Sequence, residues 1–192
     1  MDRRVSAVDV AAYIEGMVSL DEGGAMKIQK LTYYAQAWSL AWRGIPLFDD
    51  EVQAWRDGPV VPNLYRENKY KRVNGKLAAA SRDLSDVQKA VVEAVVDFYG
   101  DFSAQELSDR THKEEPWQRA RRGLKQEERG REVITVKEMR NFYMKQALME
   151  ERRSVPSAPS ETLSSADVAK VEEVGRQQAK KWAATLEWLK DK

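Results

Sequence analysis

The chain has 192 residues, 42% of them apolar or aromatic, 33% charged, and a formal net charge of +1. That is enough apolar material for one domain of about 100–150 residues with an appendage, and the balance excludes both charge-driven disorder and attraction of the whole chain to nucleic acid. The absence of cysteine excludes disulfides, thiolate nucleophiles and sulfur-ligated metal sites, and it fits a cytoplasmic location.

In chain order, the opening MDRRVSAVDVAAYIEG is charged at both ends and broken by Asp9, unlike a secretory signal. No apolar run reaches the roughly 18 residues of a membrane span. Residues 6–19 predict a first helix, with Ser6 as N-cap and Asp9 reaching back to it. Residues 25–44 predict the central helix. Ile28, Leu31, Ala35, Trp38 and Trp42 share one stripe, Gln29, Tyr33, Gln36 and Arg43 the opposite face, and Gly44 suits a left-handed cap.

The next segment is less regular. Pro46 disfavours helix at Ile45, and VQAW alternates briefly, as a strand or a turn edge would. Pro62 opens a short helix, and Asn74-Gly75 signals a hairpin turn, so one small ribbon is expected here. Three Ser/Thr-to-Glu/Gln pairs, Ser85/Gln88, Ser103/Glu106 and Thr135/Glu138, have capping-box spacing. They start helices near 86–99, 104–112 and 136–150, and Pro116 opens a shorter helical turn.

The composition of 152–165, with Pro156 and Pro159, is that of a linker. A last amphipathic helix, roughly 166–190, follows, with Trp182, Leu186 and Leu189 on one arc and Trp188 off it. The organisation expected is a mainly α body over 1–151 with at most a small β-ribbon, a linker over 152–165 and a C-terminal helical segment over 166–192.

The single histidine, His112, lies beside Thr111 in DRTHKEEPWQRAR. Adjacent helical side chains diverge by about 100°, and there is no nucleophile elbow or metal-ligand cluster to complete a catalytic set. The segment therefore reads as a corner between two helices. There the imidazole would bond the last carbonyls and favour the negative end of the dipole, with Trp117 packed behind the turn. Phosphate-binding glycine loops are absent. The basic stretches 66–76 and 118–131 could neutralise phosphates, but such runs are more often solvated faces. The C-terminal stripe can cover the body, pair with a second copy or enter a partner's groove.

Four stretches together resemble a known family: IQKLTYYAQAW at 28–38, PLFDDEVQAWRDGPVVPNLY at 46–65, LSDRTHKEEPW at 107–117 and the helix preceding the last. They are similar to the Panacea domain, also described as the SocA-like or phage GepA-type domain of bacteria and their viruses. The resemblance spans roughly 5–150. It implies a helical antitoxin, not an enzyme, that neutralises a co-encoded toxic protein by direct contact. Family toxins include nucleotide-transferring enzymes that block translation and membrane-acting peptides. One alternative it implies is an adaptor delivering the toxin to an ATP-dependent protease; the basic stretches leave a DNA-binding autoregulator as another.

Carried onto this chain, Leu31, Tyr34, Trp38, Gly58, Pro59, Pro62, Thr111 and Pro116 are expected as scaffold. Trp55, Arg56, Tyr65, His112, Trp117, Trp182, Leu186, Trp188 and Leu189 are expected to meet a partner. The expected partner is a protein toxin, with a cellular protease or a second copy as further classes. No catalytic residue, metal or cofactor is implied.

Overall fold

The computed structural model describes residues 5–20, 23–70, 72–73, 76–77, 84–125, 127–149 and 154–159. The chain divides into two compact units, Met1–Pro159 and Ser160–Lys192. The second lies outside the described residues, and with it the expected last helix with Trp182, Leu186, Trp188 and Leu189.

The first unit is mainly α. Among the described residues its elements are α1 Ala7–Glu15, α2 Gly24–Arg43, β1 Gln53–Trp55, β2 Gly58–Val60, α3 Pro62–Tyr70, β3 Arg72–Val73, β4 Lys76–Leu77, α4 Asp86–Tyr99, α5 Ala104–His112, α6 Glu115–Ala120 and α7 Val136–Met149. Helix α2 is the hub, packed against α1, α4, α5 and α7. Ile28, Leu31, Ala35 and Trp38 are buried, as their spacing predicts, and the Trp42 ring stacks on Trp38 at 5.2 Å. Gly44 ends the helix at φ +68°, its N–H donating to the Leu40 carbonyl.

The opposite face of α2 departs from a two-sided helix. Gln29, Tyr33 and Gln36 are as buried as the apolar stripe. The reason is the non-helical segment 45–61, which runs against this face and brings backbone groups that need partners. Gln36 Oε1 accepts from the N–H groups of Leu47 (2.7 Å) and Phe48 (3.2 Å), while its Nε2 donates to the Phe48 carbonyl at 2.9 Å. Gln29 makes the same two-way clasp on Val61, and Ser39 Oγ donates to the Ile45 carbonyl. Side-chain amides thus take the place of a neighbouring strand, each bond worth about 1 kcal/mol net.

Strands β1 and β2 pair antiparallel across Arg56-Asp57, with Gln53 opposite Val60 and Trp55 opposite Gly58. Residues 132–134 join the free edge of β1: Ala54 N–H donates to the Glu132 carbonyl and Ile134 N–H to that of Val52. The expected ribbon is present as β3 and β4, which flank Asn74 and Gly75; those two lie outside the described residues. Among the described residues there are therefore two ribbons where the sequence suggested one, because VQAW finds its partner in GPV.

Local capping decides most helix starts. Ser6/Asp9, Ser85/Gln88 and Ser103/Glu106 form both halves of the box, and Thr135 and Glu138 make the same reciprocal bonds. Helix α1 ends at Glu15, short of the expected 19, where the Gly16 N–H closes back on the Tyr13 carbonyl. Residues 154–159 are non-helical, as the prolines require, yet Pro156 is buried and Val155 packs on the core. This part of the linker composition lies within the compact body.

Gly58 sits at φ +102°, and a Cβ placed there would lie 2.4 Å from Lys30 Nζ and 2.7 Å from Thr111 Oγ1. Gly58→Ala combines a conformation unfavourable to side chains with two buried clashes. It should lower unfolding free energy by at least ~1–3 kcal/mol in urea denaturation, whereas Gly123→Ala, which also has positive φ but open space, should cost less.

Candidate partner-binding site

The β1–β2 tip places Trp55 and Arg56 beside Tyr65 of α3. The Trp55 and Tyr65 rings are tilted against one another with centroids 5.0 Å apart. Trp55 is half-buried, and Tyr65 is 37% exposed. Arg56 is exposed and forms a two-point pair with Asp57, Nε to Oδ1 at 3.0 Å and a terminal nitrogen to Oδ2 at 3.1 Å. That pair holds the Asp57 carboxyl below its ordinary pKa. The ring pair divides two hollows. One, of about 340 Å³, is walled by Met26, Val60 and Asn68; the other, of about 380 Å³, opens toward Arg129 and Arg131.

The tip is fixed from beneath. Lys30, 1% exposed, donates to the carbonyls of Asp57 and Pro59, the latter at 3.2 Å. Ser108 Oγ also donates to the Asp57 carbonyl, and Trp117 Nε1 donates to that of Trp55 at 2.9 Å. Arg121 is buried: its guanidinium lies over Trp117 and donates to the carbonyls of Ala54, Lys125 and Glu128. At this position the basic stretch 118–131 is a staple for its own loop and not a solvated charge.

His112 ends α5 and, with Glu115 opening α6, makes the expected corner. Its chemistry differs from the expectation. The ring stacks on Trp117 at 4.3 Å, and Nε2 is buried with no hydrogen-bond partner among the described residues. Burial first, then the Lys30 ammonium, push its pKa below the ordinary histidine value, outweighing Asp109 and Asp57. The imidazole packs against Trp117, and its surroundings disfavour the protonated form.

Behind the corner lies a feature that sequence reasoning missed. Glu114 accepts hydrogen bonds from three tyrosine hydroxyls: Tyr143 at 2.6 Å, Tyr34 at 3.0 Å and Tyr33 at 3.4 Å. Tyr99 stacks on Tyr34 at 4.0 Å and its hydroxyl accepts from Trp38 Nε1. This cluster borders a cavity of about 580 Å³ that Phe102, Phe142 and Val155 also line. Burial pushes Glu114 from 4.5 up to about 7, the tyrosine hydroxyls only partly opposing it. Lys30 is the second omission: burial pulls it from 10.5 down to about 7. No spacing rule marks either residue, because their hydrogen-bond partners stand 27 to 81 positions away.

The structure thus gathers Trp55, Arg56 and Tyr65 into one surface, with Trp117 behind it and His112 stacked on Trp117. Leu31, Tyr34, Trp38, Gly58, Pro59, Thr111 and Pro116 are buried, and Pro62 opens α3. No helix among the described residues is long and apolar enough to cross a membrane.

A buried polar frame thus lies beneath the partly exposed Trp55–Tyr65 pair of a mainly helical domain. Residues 28–118 match the model of the family described as antitoxin SocA-like, Panacea domain, the family its motifs resemble. The matched region is narrower than the 5–150 the motifs suggested, and it contains the ridge and the corner. No curated protein and no solved structure matches the chain.

The two buried charges act on stability in opposite pH ranges. Raising the pKa of Glu114 favours the folded state while it is protonated; that contribution is full below 4.5 and is lost as pH rises through about 7. Lowering the pKa of Lys30 favours the folded state while it is neutral; that contribution is full above 10.5 and is lost as pH falls through about 7. Together they place a minimum in Tm near pH 7. Thermal melts should show Glu114→Gln removing the decline below that pH and Lys30→Met removing the recovery above it.

Proposed function

We propose that this chain is an antitoxin that neutralises a co-encoded toxin by direct binding and occlusion, through the Trp55–Arg56–Tyr65 ridge. The observation that carries the reading is the Panacea match over 28–118, which contains all three residues. Aromatic and arginine side chains dominate interface hot spots, and a ring pair already held by contacts beneath it loses little freedom on docking. Binding of this kind needs one antitoxin per toxin and no chemistry by the antitoxin. His112 and Trp117 are read as supports that set the height of the ridge.

The C-terminal segment, with Trp182, Leu186, Trp188 and Leu189, is proposed to add contacts to the same toxin. A tethered second element raises affinity through its local concentration once the body has docked. The cytoplasm is the proposed site of action.

Co-expression with the product of the adjacent reading frame should give a one-to-one complex that survives purification. Trp55→Ala and Tyr65→Ala should each raise its Kd about 30-fold, the equivalent of ~2 kcal/mol, with Tm unchanged. Removing 160–192, which spares the packed Val155 and Pro156, should weaken the complex and leave the body folded. Growth rescue by a trace of this chain against a large molar excess of toxin would overturn the reading in favour of an enzyme.

A further inference from the structure

We infer that the hollow between α2, β2 and α3 captures the C-terminal residue of a partner polypeptide, with its apolar side chain against Trp55 and Tyr65 and its α-carboxylate on the Lys30 ammonium. That the partner is a toxin rests on the function proposed above; the pocket chemistry does not.

The starting point is a buried ammonium with no carboxylate bonded to it: Asp57 and Glu114 act on it only from beyond ion-pair distance. Lys30 is 1% exposed, and its two hydrogen bonds go to neutral carbonyls. No carboxylate among the described residues comes within ion-pair distance of it. The nearest acidic residue in sequence along the tip, Asp57, spends its carboxylate on Arg56. Removing an ammonium from water costs several kcal/mol, and proteins usually offset this with a paired charge. An ammonium has three N–H donors, and the two carbonyls take two. The depressed pKa of Lys30 has the same origin, burial without enough counter-charge.

The second observation is the space beside it. Lys30 lines a hollow of about 340 Å³ together with the apolar Met26, Trp55, Val60 and Tyr65 and the polar Gln29, Asn68 and Asp57, the last with its carboxylate paired to Arg56. Lys69 stands at its rim, Nζ 5.8 Å from the Tyr65 ring centre. The volume is at the small end of ligand sites, enough for about one large residue. Mainly apolar walls with Lys30 and Lys69 at their edge, and the one lining carboxylate already paired to Arg56, favour a group that is apolar and anionic at once. Aspartate and glutamate side chains lack the apolar bulk, and internal apolar residues lack the charge. A chain-terminal apolar residue supplies both, and capture of a terminal carboxylate is an established mode of peptide recognition.

The test needs no toxin. Isotope-labelled full-length protein is titrated at pH 7 with N-acetylphenylalanine, with its amide, and with N-acetylglutamate amide, following the Trp55 indole N–H and the Met26 and Val60 amides by NMR. The acid should move these signals and bind at least tenfold more tightly than either amide. Lys30→Met, once shown to be folded, should bind N-acetylphenylalanine and its amide alike. If that variant does not fold, the comparison of acid and amide on the native chain decides alone. Equal binding of acid and amide, equal binding of the glutamate probe, shifts confined to other sites, or no shifts at all would overturn the inference. Loss of the pocket with a toxin complex intact leaves the antitoxin reading standing; probe binding without any toxin complex does the reverse.

Discussion

The body depends on one constraint: a non-helical segment lies against a helix buried on both faces through its middle turns, and that helix must supply hydrogen-bond partners for the segment's backbone. Gln29, Lys30, Gln36 and Ser39 do so, spaced along α2 so that successive turns clasp residues 61, 57 and 59, 47 and 48, and 45. Because backbone polar groups left bare in a core cost 1–3 kcal/mol each, these side chains fix where the β1–β2 tip stands. The ridge of Trp55 and Tyr65 is a consequence of that clasp. The same requirement explains why a mainly helical protein tolerates so long a non-helical crossing at its centre.

What was legible in the sequence was local. The stripe through Ile28, Leu31, Ala35 and Trp38 marked the central helix, Gly44 its end, and four side-chain caps marked four starts, since each signal operates within a turn or two. What escaped depended on distance along the chain. Gln29 and Gln36 read as a polar face because nothing nearby reveals the strand-like segment they serve. Glu114 read as one acid among several until α2 and α7 brought three hydroxyls to it. The place of His112 at a helix end is legible, whereas the lowering of its pKa comes from burial and from Lys30, 82 positions earlier. The Panacea motifs reached further than periodicity, because they record long-range contacts as residue identities.

Two ionisable groups therefore sit deep in the body, both held mainly by neutral partners. Glu114 is wrapped by phenols behind the α5–α6 corner, and Lys30 is held by carbonyls beneath the tip. An all-apolar replacement of similar volume would in general cost no stability and could add some. Lys30 nonetheless supplies bonds that place the tip, and Glu114 ties α2 to α7 through Tyr33, Tyr34 and Tyr143.

The crowding around Gly58 separates two classes of position only a few ångströms apart. Beneath the tip, Lys30, Gly58 and Thr111 fill one another's space so closely that a methyl group cannot be added without displacing a neighbour. Above it, the side chain of Arg56 projects into solvent and Tyr65 leaves a third of its surface uncovered. Exchange of the outer side chains therefore leaves the frame beneath them undisturbed, whereas any enlargement of the inner ones moves the tip itself.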